Sequence, residues 1–297
     1  MDIISKLKDI SYVDFSENEP LGVHSTMRVG GTAAVAAFPK SVPALCKLKK
    51  ALDESKTKHV VIGNASNTVF PDGTYDGVVI FTKKLQSISY VGNHIVAECG
   101  VNLIYLSAFA AEKSLSGAEF LSGIPGTVGG AVYMNAGAYG RSVSDIVVSS
   151  KVYLPDGTVA EIPNAEHKFA FRRSVFQESG AVVLSTEFAL AEGDRQKISA
   201  LTAEMKEKRS SSQPLGLPSA GSAFLPAGDV PAWKLIDGAG LRGYKVGGAR
   251  VSSKHAGFIV NEGGATAADI KSLVGIVKSV VFKKYGVNLQ TEIIFIE

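Results

Sequence analysis

The residues whose types and spacing most suggest chemistry form a glycine-rich segment from Leu121 to Gly140. Its glycines are Gly123, Gly126, Gly129, Gly130, Gly137 and Gly140. Glycine inside a helix or strand costs about 0.5–1 kcal/mol relative to alanine, so this density indicates sharp turns or a backbone that approaches a ligand closely. Backbone amides in such loops can converge on an anion. The segment therefore predicts either a cradle for a phosphate-bearing cofactor or a purely geometric turn.

A second loop of small and polar residues, 63–67, follows a buried strand predicted at 59–62. Neither loop has the glycine spacing of a dinucleotide-binding fingerprint, and no phosphate-binding P-loop motif occurs in the chain. Further along, Arg172 and Arg173 stand together among aromatic residues, where a cation could meet an anionic group or form a surface salt bridge.

The elements that must position these residues follow from hydrophobic spacing and capping signals. Ser41 is predicted to cap a helix whose lysines, Lys47, Lys49 and Lys50, face solvent. Asn102 caps a helix that ends near Gly117, and Asp194 starts another. A long helix is expected from Thr266 to Tyr285, before Gly286.

Strands are predicted in the remaining segments. Short β-like runs between residues 146 and 190 alternate with turn signals, which predicts antiparallel strands, and a final strand is expected at 287–296. Residues 1–20 are expected to form a short helix and a polar connector. The pattern as a whole predicts an α+β protein.

Composition and charge restrict the classes of function. The 297 residues are 45% hydrophobic and 20% charged, as in a globular protein that buries a sizeable core. A net charge of +3 is too small and dispersed to indicate nucleic-acid or membrane binding. The two cysteines and five histidines form no metal-binding pattern, and no signal peptide or membrane-spanning run is found. We therefore expect no metal and a cytoplasmic location.

Five motifs, at 25–31, 63–67, 121–140, 213–224 and 254–261, occur in a fixed order along nearly the whole chain. The most specific are Gly-Ile-Pro-Gly-Thr-Val-Gly-Gly at 123–130 and the Gln-Pro-Leu…Pro-Ser-Ala-Gly-Ser run at 213–222. Together they resemble the UDP-N-acetylenolpyruvoylglucosamine reductase family. The resemblance implies an α+β, FAD-binding fold of the vanillyl-alcohol-oxidase type with a C-terminal α+β substrate-binding domain.

The same resemblance implies the domains and partners. FAD-binding subdomains are expected at 1–62 and 63–205, and a substrate-binding domain at 206–297, whose last strand returns towards the FAD site. The segment between Phe176 and Gln213 has little room for an inserted tyrosine-bearing loop, which favours the shorter subtype of the family. The implied partners are FAD, NADPH as co-substrate and a UDP-sugar; we expect a monomer that binds neither nucleic acid nor membrane.

The implied reaction reduces an enolpyruvyl ether to a lactyl ether in peptidoglycan precursor synthesis. Hydride addition to the terminal carbon leaves an enolate-like species that must be stabilised and protonated. By resemblance, Ser222 is the proton donor, Arg172 contacts the carboxylate, and Glu292 is the catalytic glutamate. Because side chains alternate between the two faces of a strand, the predicted strand 287–296 places Glu292 on the same face as Ile294 and Ile296. A carboxylate on this apolar face needs a partner.

Each assignment has a plainer alternative. Ser222 could be an ordinary turn serine, either arginine could form a surface salt bridge, and Glu292 could be a solvated strand-end glutamate. Phe171 stands where the family pattern has tyrosine, so a hydrogen bond from that ring is lost.

For FAD, the resemblance implies contacts from both loops, with backbone amides meeting the pyrophosphate: Gly63, Asn64, Ala65, Ser66, Asn67, Gly123, Gly126, Thr127 and Gly129. Ala65 replaces a frequent glycine, so either its φ is accessible to alanine or the loop is altered. Arg209 and Lys254 are expected to contact phosphates of the UDP moiety or the nicotinamide cofactor, with solvated helix-end charges as the alternative. Rival functions are another FAD-dependent oxidase or dehydrogenase of this fold, and a non-catalytic nucleotide-sugar-binding protein.

Overall fold

A computed structural model describes residues 7–297. They fall into two compact units: the first contains the residues up to Glu17, Val35–Asn64 and Gly77–Lys208, and the second contains Asn18–Ala34, Ala65–Asp76 and Arg209–Glu297. The division therefore falls inside the loop 63–67, between Asn64 and Ala65. The three-part domain division expected from the sequence is not tested by these two units and stays a prediction.

The strands are numbered in chain order. They are β1 Val13–Pro20, β2 Thr32–Pro39, β3 His59–Ile62, β4 Thr68–Val69, β5 Thr74–Phe81, β6 Ile88–Val91, β7 His94–Glu98, β8 Leu115–Ser116, β9 Gly137–Ala138, β10 Arg141–Ser142, β11 Val147–Tyr153, β12 Val159–Pro163, β13 Val182–Ala189, β14 Ala191–Glu192, β15 Ser219–Ser222, β16 Lys245–Val246, β17 Ala249–Val251, β18 Phe258–Asn261 and β19 Ile294–Phe295.

The helices of the described residues alternate with these strands, which confirms the predicted α+β class. They are α1 Val42–Glu54, α2 Leu103–Glu112, α3 Val128–Met134, α4 Phe176–Ser179, α5 Arg195–Ser212, α6 Ala232–Gly238 and α7 Ala267–Tyr285. Among the described residues, none of these helices combines the length and the apolar character that crossing a membrane requires.

In the first unit, an antiparallel sheet of order β12-β11-β13-β7-β6 confirms the strands predicted between residues 146 and 190. Its apolar side chains share one core with α2 and α3, including Ile95, Leu106, Val132 and Phe188. In the same unit, β3, which leads into loop 63–67, pairs in parallel with residues 78–81 of β5. The glycine-rich segment thus begins beside a packed core, which restricts its backbone.

In the second unit, strands of order β15-β18-β17-β16 share a core with α6 and α7. The last strand, β19, pairs in parallel with β4, which follows loop 63–67 directly. The beginning of β4 and the end of the chain therefore meet within this unit.

The capping residues act as the sequence predicts. Ser41 Oγ accepts a hydrogen bond from Ala44 N at 3.3 Å, and Asn102 Oδ1 accepts one from Ile104 N at 2.8 Å. Thr266 and Asp269 form a capping box at the start of α7, which ends at Gly286 in the left-handed conformation.

Several local expectations are wrong. Residues 13–20 form β1 rather than a connector. Helix α2 ends at Glu112, and Ser114 supplies the left-handed residue (φ +57°) before Gly117 is reached. Lys49 is 8% exposed rather than solvated, because its ammonium lies 2.5 Å from Asp53 Oδ1 and its stem is covered by neighbouring residues.

Candidate active site

The loop 63–67 and the glycine-rich segment are in direct contact in the first unit. Asn64 Nδ2 donates a hydrogen bond of 2.6 Å to the carbonyl of Pro125. A Cβ built on Gly63 would lie 2.2 Å from Thr127 Oγ1, so only glycine allows this approach. Thr127 is itself buried and caps α3. The structure therefore brings together Gly63, Asn64 and Thr127.

Gly129 has a similar requirement for close packing. A Cβ at this position would lie 2.9 Å from Cys99 Cβ, and Gly129 N donates a 2.9 Å hydrogen bond to Cys99 O. Burial raises the pKa of the Cys99 thiol to about 12, so this side chain stays protonated and packs as a small apolar group. At Gly63 and Gly129, glycine is needed for contacts within the protein, as the geometric alternative predicted.

The amides of these loops fit a phosphate group. In the first unit, Asn64 N, Gly126 N and Thr127 N donate no hydrogen bond to any residue in the range 7–297. Within that same range, Ser66 N and Asn67 N of the second unit are likewise without an acceptor. Amides that lack a protein acceptor are suited to the oxygens of a pyrophosphate, so the residues present are compatible with the predicted cofactor.

Ala65 lies in the same loop and is 4% exposed. Its φ is +46°, in the left-handed region where glycine is favoured. Alanine therefore keeps the loop conformation that a glycine would adopt, and it does so under strain.

Arg172 lies in a tight turn of the first unit, in which Ala170 and Arg173 exchange two backbone hydrogen bonds. Its guanidinium donates to Gly137 O at 3.2 Å and lies 4.8 Å from the centre of the Phe171 ring. Arg173, by contrast, is paired with Glu178, and its side chain is 64% exposed. The geometry favours Arg172 as the arginine that is held in a defined position.

Ser222 and Glu292 are brought together in the second unit. Ser222 ends β15 opposite Phe258, directly after Gly221, whose φ is +76°. The next residue, Ala223, accepts a 2.9 Å hydrogen bond from Glu292 N. The Ser222 side chain is half-buried and makes no side-chain hydrogen bond to any residue of 7–297.

Asn67 joins the same cluster. Its side-chain amide donates to Glu292 O at 3.0 Å, and its carbonyl accepts from Ile294 N at 2.9 Å. Three segments far apart in sequence, 65–67, 222–223 and 290–294, therefore meet in one unit.

The expected position of Glu292 on a long final strand is wrong. Only Ile294–Phe295 forms a strand, and the buried side chain beside Glu292 is Ile293, which is 3% exposed. Glu292 is half-buried, and isolated backbone contacts with residues 67 and 223–225, rather than a continuous strand ladder, hold the chain here.

Arg209 and Lys254 also belong to the second unit. Lys254 Nζ donates to Ser210 O at 2.5 Å, which ties the 254–261 motif to the end of α5. Arg209 is half-buried, whereas Lys254 is exposed. The neighbouring His255 was missed in the sequence; its Nδ1 accepts from Gly257 N at 3.1 Å, and burial lowers its pKa, so it is neutral at pH 7.

Comparison with known proteins gives the family. An FAD-binding domain model matches residues 33–163, and the model of the C-terminal domain of UDP-N-acetylenolpyruvoylglucosamine reductase matches residues 213–296. The reductase of that name from Pediococcus pentosaceus is 43% identical over 281 residues, which cover 95% of this chain and 94% of that protein.

Solved structures agree with the sequence matches. The reductase from Thermus caldophilus matches with a TM-score of 0.81 and 31% identity, over 96% of this chain and 99% of that one. Phl p 4.0202, a glucose dehydrogenase, matches at 14% identity with a TM-score of 0.51 over 98% of this chain and 61% of its own, which is a likeness of fold alone. These matches confirm the predicted FAD-binding fold of the vanillyl-alcohol-oxidase type with its additional C-terminal domain. The chain belongs to the UDP-N-acetylenolpyruvoylglucosamine reductase family.

Proposed function

We propose that this protein uses NADPH to reduce UDP-N-acetyl-3-O-(1-carboxyvinyl)-glucosamine to UDP-N-acetylmuramate in peptidoglycan precursor synthesis. The observation that carries the proposal is the convergence of Asn67, Ser222 and Glu292 within a chain that is 43% identical to a named reductase. The proposal includes a cytoplasmic location and a monomeric state, the latter of which size-exclusion chromatography tests.

The cofactor loops supply binding and orientation. In the first unit, Asn64, Gly126 and Thr127 would hold phosphate oxygens of FAD through their amides. The resemblance assigns Ser66 and Asn67 of the second unit to FAD as well, and Gly63, Gly123, Ala65 and Gly129 shape the two loops. When bound here, FAD would supply the chemistry of hydride transfer from NADPH to the enolpyruvyl group.

The chain's own side chains then act on the charge that develops beside the carboxylate. Arg172 offers a planar guanidinium that can bind both oxygens of that carboxylate. The Ser222 hydroxyl donates a proton to the carbon atom that carries the carboxylate. Its half-buried Oγ is available because no other described residue forms a side-chain hydrogen bond with it. Glu292 would stabilise the enolate-like species as a hydrogen-bond donor, through a protonated carboxyl group, because an ionised carboxylate would repel the negative charge. Arg209 and Lys254 contact the phosphates of the UDP moiety or of NADPH.

The proposed function is tested by the spectrum and the reaction of the purified protein. We expect an oxidised-flavin spectrum and consumption of NADPH that depends on the enolpyruvyl substrate. UDP-N-acetylglucosamine, which lacks the enolpyruvyl group, is the control compound. Oxygen consumption with an alcohol or sugar instead would identify another oxidase of this fold. A colourless protein that binds the UDP-sugar without turnover would contradict an enzymatic role.

A further inference from the structure

The turn that carries Arg172 is under backbone strain. Arg172 has a φ of +55°, although it is neither glycine nor asparagine, and it occupies a central position of the turn between Ala170 and Arg173. A left-handed backbone conformation is unfavourable in free energy for an L-amino acid. It persists only where surrounding contacts enforce it. The contacts that hold this turn therefore decide where the guanidinium lies.

Gln177 makes the most direct of these contacts. Its side-chain amide donates to Arg172 O at 2.9 Å and to Tyr133 O at 3.1 Å. One amide group therefore ties the backbone of the strained residue to the C-terminal end of α3. Ser174 Oγ donates to the same Tyr133 carbonyl at 2.7 Å, so this carbonyl is an anchor for the whole turn.

A second contact, made by an asparagine, holds the other side of the turn. Asn135, which ends α3 in the left-handed conformation, donates from Nδ2 to Ala170 O at 2.9 Å. The Arg172 side chain returns to the same segment through Gly137 O. The seven-residue helix α3 is about 10 Å long and begins after its capping residue Thr127. It therefore carries part of the cofactor-binding loop at one end and the arginine turn at the other.

We propose that Gln177 is a positioning residue for Arg172: it holds the strained turn at the end of α3 so that the guanidinium is preorganised for the substrate carboxylate. The proposal rests on the function proposed above. Gln177 acts through the backbone of Arg172 and not by touching substrate or cofactor. Its amide NH₂ group is essential, because both of its main partners are carbonyl oxygens that only a donor can satisfy.

The experiment is a double-mutant cycle with Gln177→Glu and Arg172→Ala in the FAD-loaded enzyme. Gln177→Glu keeps the shape of the side chain and removes its NH₂ donors. We expect it to lower kcat/KM for the enolpyruvyl substrate about 10–100-fold, because a small misplacement of a catalytic group has effects of this size. Reduction of the flavin by NADPH alone should change less than about 2-fold.

The cycle separates positioning from general stability. If Gln177 acts through Arg172, then Gln177→Glu produces no further loss in the Arg172→Ala background. Equal losses in both backgrounds would overturn the proposal. Gln86→Glu is the matched control, since the Gln86 amide also donates to a carbonyl, that of Lys83, in the same unit but in an exposed segment.

A readout without turnover completes the test. Hydrogen exchange of the Arg173 amide, which bonds to Ala170 O across the turn, should become at least about 10-fold faster in Gln177→Glu, because opening of the turn is no longer opposed. Unchanged exchange together with an unchanged kcat/KM would also overturn the proposal. A wild-type protein that shows normal turn protection but no reductase activity would instead contradict the proposed function.

Discussion

Two residues of the candidate site, Ala65 and Arg172, adopt left-handed backbone conformations with φ of +46° and +55°. Each costs about 1–2 kcal/mol for an L-residue, and such strain concentrates at functional sites. At Arg172, the proposed role of the guanidinium explains why this position has a long side chain despite the backbone strain. At Ala65 the side chain is a single methyl group, so the strain at this position is removable.

Ala65→Gly is expected to raise the free energy of unfolding by up to about 1.5 kcal/mol. The change removes about 1–2 kcal/mol of left-handed strain and adds about 0.5–1 kcal/mol of glycine entropy. Denaturant unfolding measures the difference. Ala37→Gly is the control, because Ala37 is fully buried in β2 without a positive φ and should lose stability. A loss of stability in Ala65→Gly as well would contradict the argument.

Ser222→Ala tests the proton donor. We expect the reduction of FAD by NADPH to keep its rate, whereas the reaction of the reduced enzyme with the enolpyruvyl substrate slows about 10²–10⁴-fold, as for loss of a general acid. Stopped-flow absorbance at the flavin band follows both half-reactions. Ser219→Ala, in the same strand, should leave both unchanged; equal damage to both half-reactions in Ser222→Ala would exclude the proton-donor role.

At the scale of elements, α7 is held by a residue from outside its own sequence. Asp72 accepts hydrogen bonds from Ala267 N at 2.6 Å and Ala268 N at 2.9 Å, at the positive end of the helix. The capping box of Thr266 and Asp269 serves neighbouring amides. Two separate segments of the second unit therefore satisfy the first turn of its longest helix.

Asp72→Ala is expected to lower the free energy of unfolding by about 1–2 kcal/mol, because two amides of α7 lose their acceptor. Denaturant unfolding followed by circular dichroism measures this loss. Asp76→Ala removes an exposed carboxylate of the same unit and should change stability by less than about 0.5 kcal/mol. Equal effects of the two changes would show that Asp72 does not stabilise α7.

At the scale of the whole molecule, each unit contains a histidine that folding keeps neutral. His167 is fully buried beside Phe169 and Phe176, and its ring nitrogens face Pro163 O and Ser150 Oγ, each at 2.9 Å. Burial lowers the pKa of His167 and, in the second unit, that of His255. The unfolded chain therefore binds protons that the folded chain does not.

The free energy of unfolding should fall as the pH drops below about 6.5, the ordinary histidine pKa, and level off below the lowered pKa of the folded protein. Each histidine contributes a slope of at most about 1.4 kcal/mol per pH unit. Unfolding measured between pH 5 and 8 checks the sign. His167→Gln should reduce the slope, and a slope unaffected by this change would contradict the argument.

The sequence by itself determined the features that depend on near neighbours in the chain. Ser41 and Asn102 cap helices because a side-chain oxygen needs only the amides two or three residues ahead. The motifs at 63–67 and 121–140 also lie within short runs of sequence. They indicated the family and the cofactor because such runs can be recognised without knowledge of the fold.

The tertiary structure decided everything that depends on which distant segments meet. Sequence could not show that Gly63 is required by Thr127, that Lys49 is covered, or that the last strand shrinks to two residues. Nor could it show that the backbone of Glu292 bonds both to Asn67 and to Ala223, the residue after the proposed proton donor. Such contacts depend on the packing of segments remote in the chain, and periodicity carries no information about that packing.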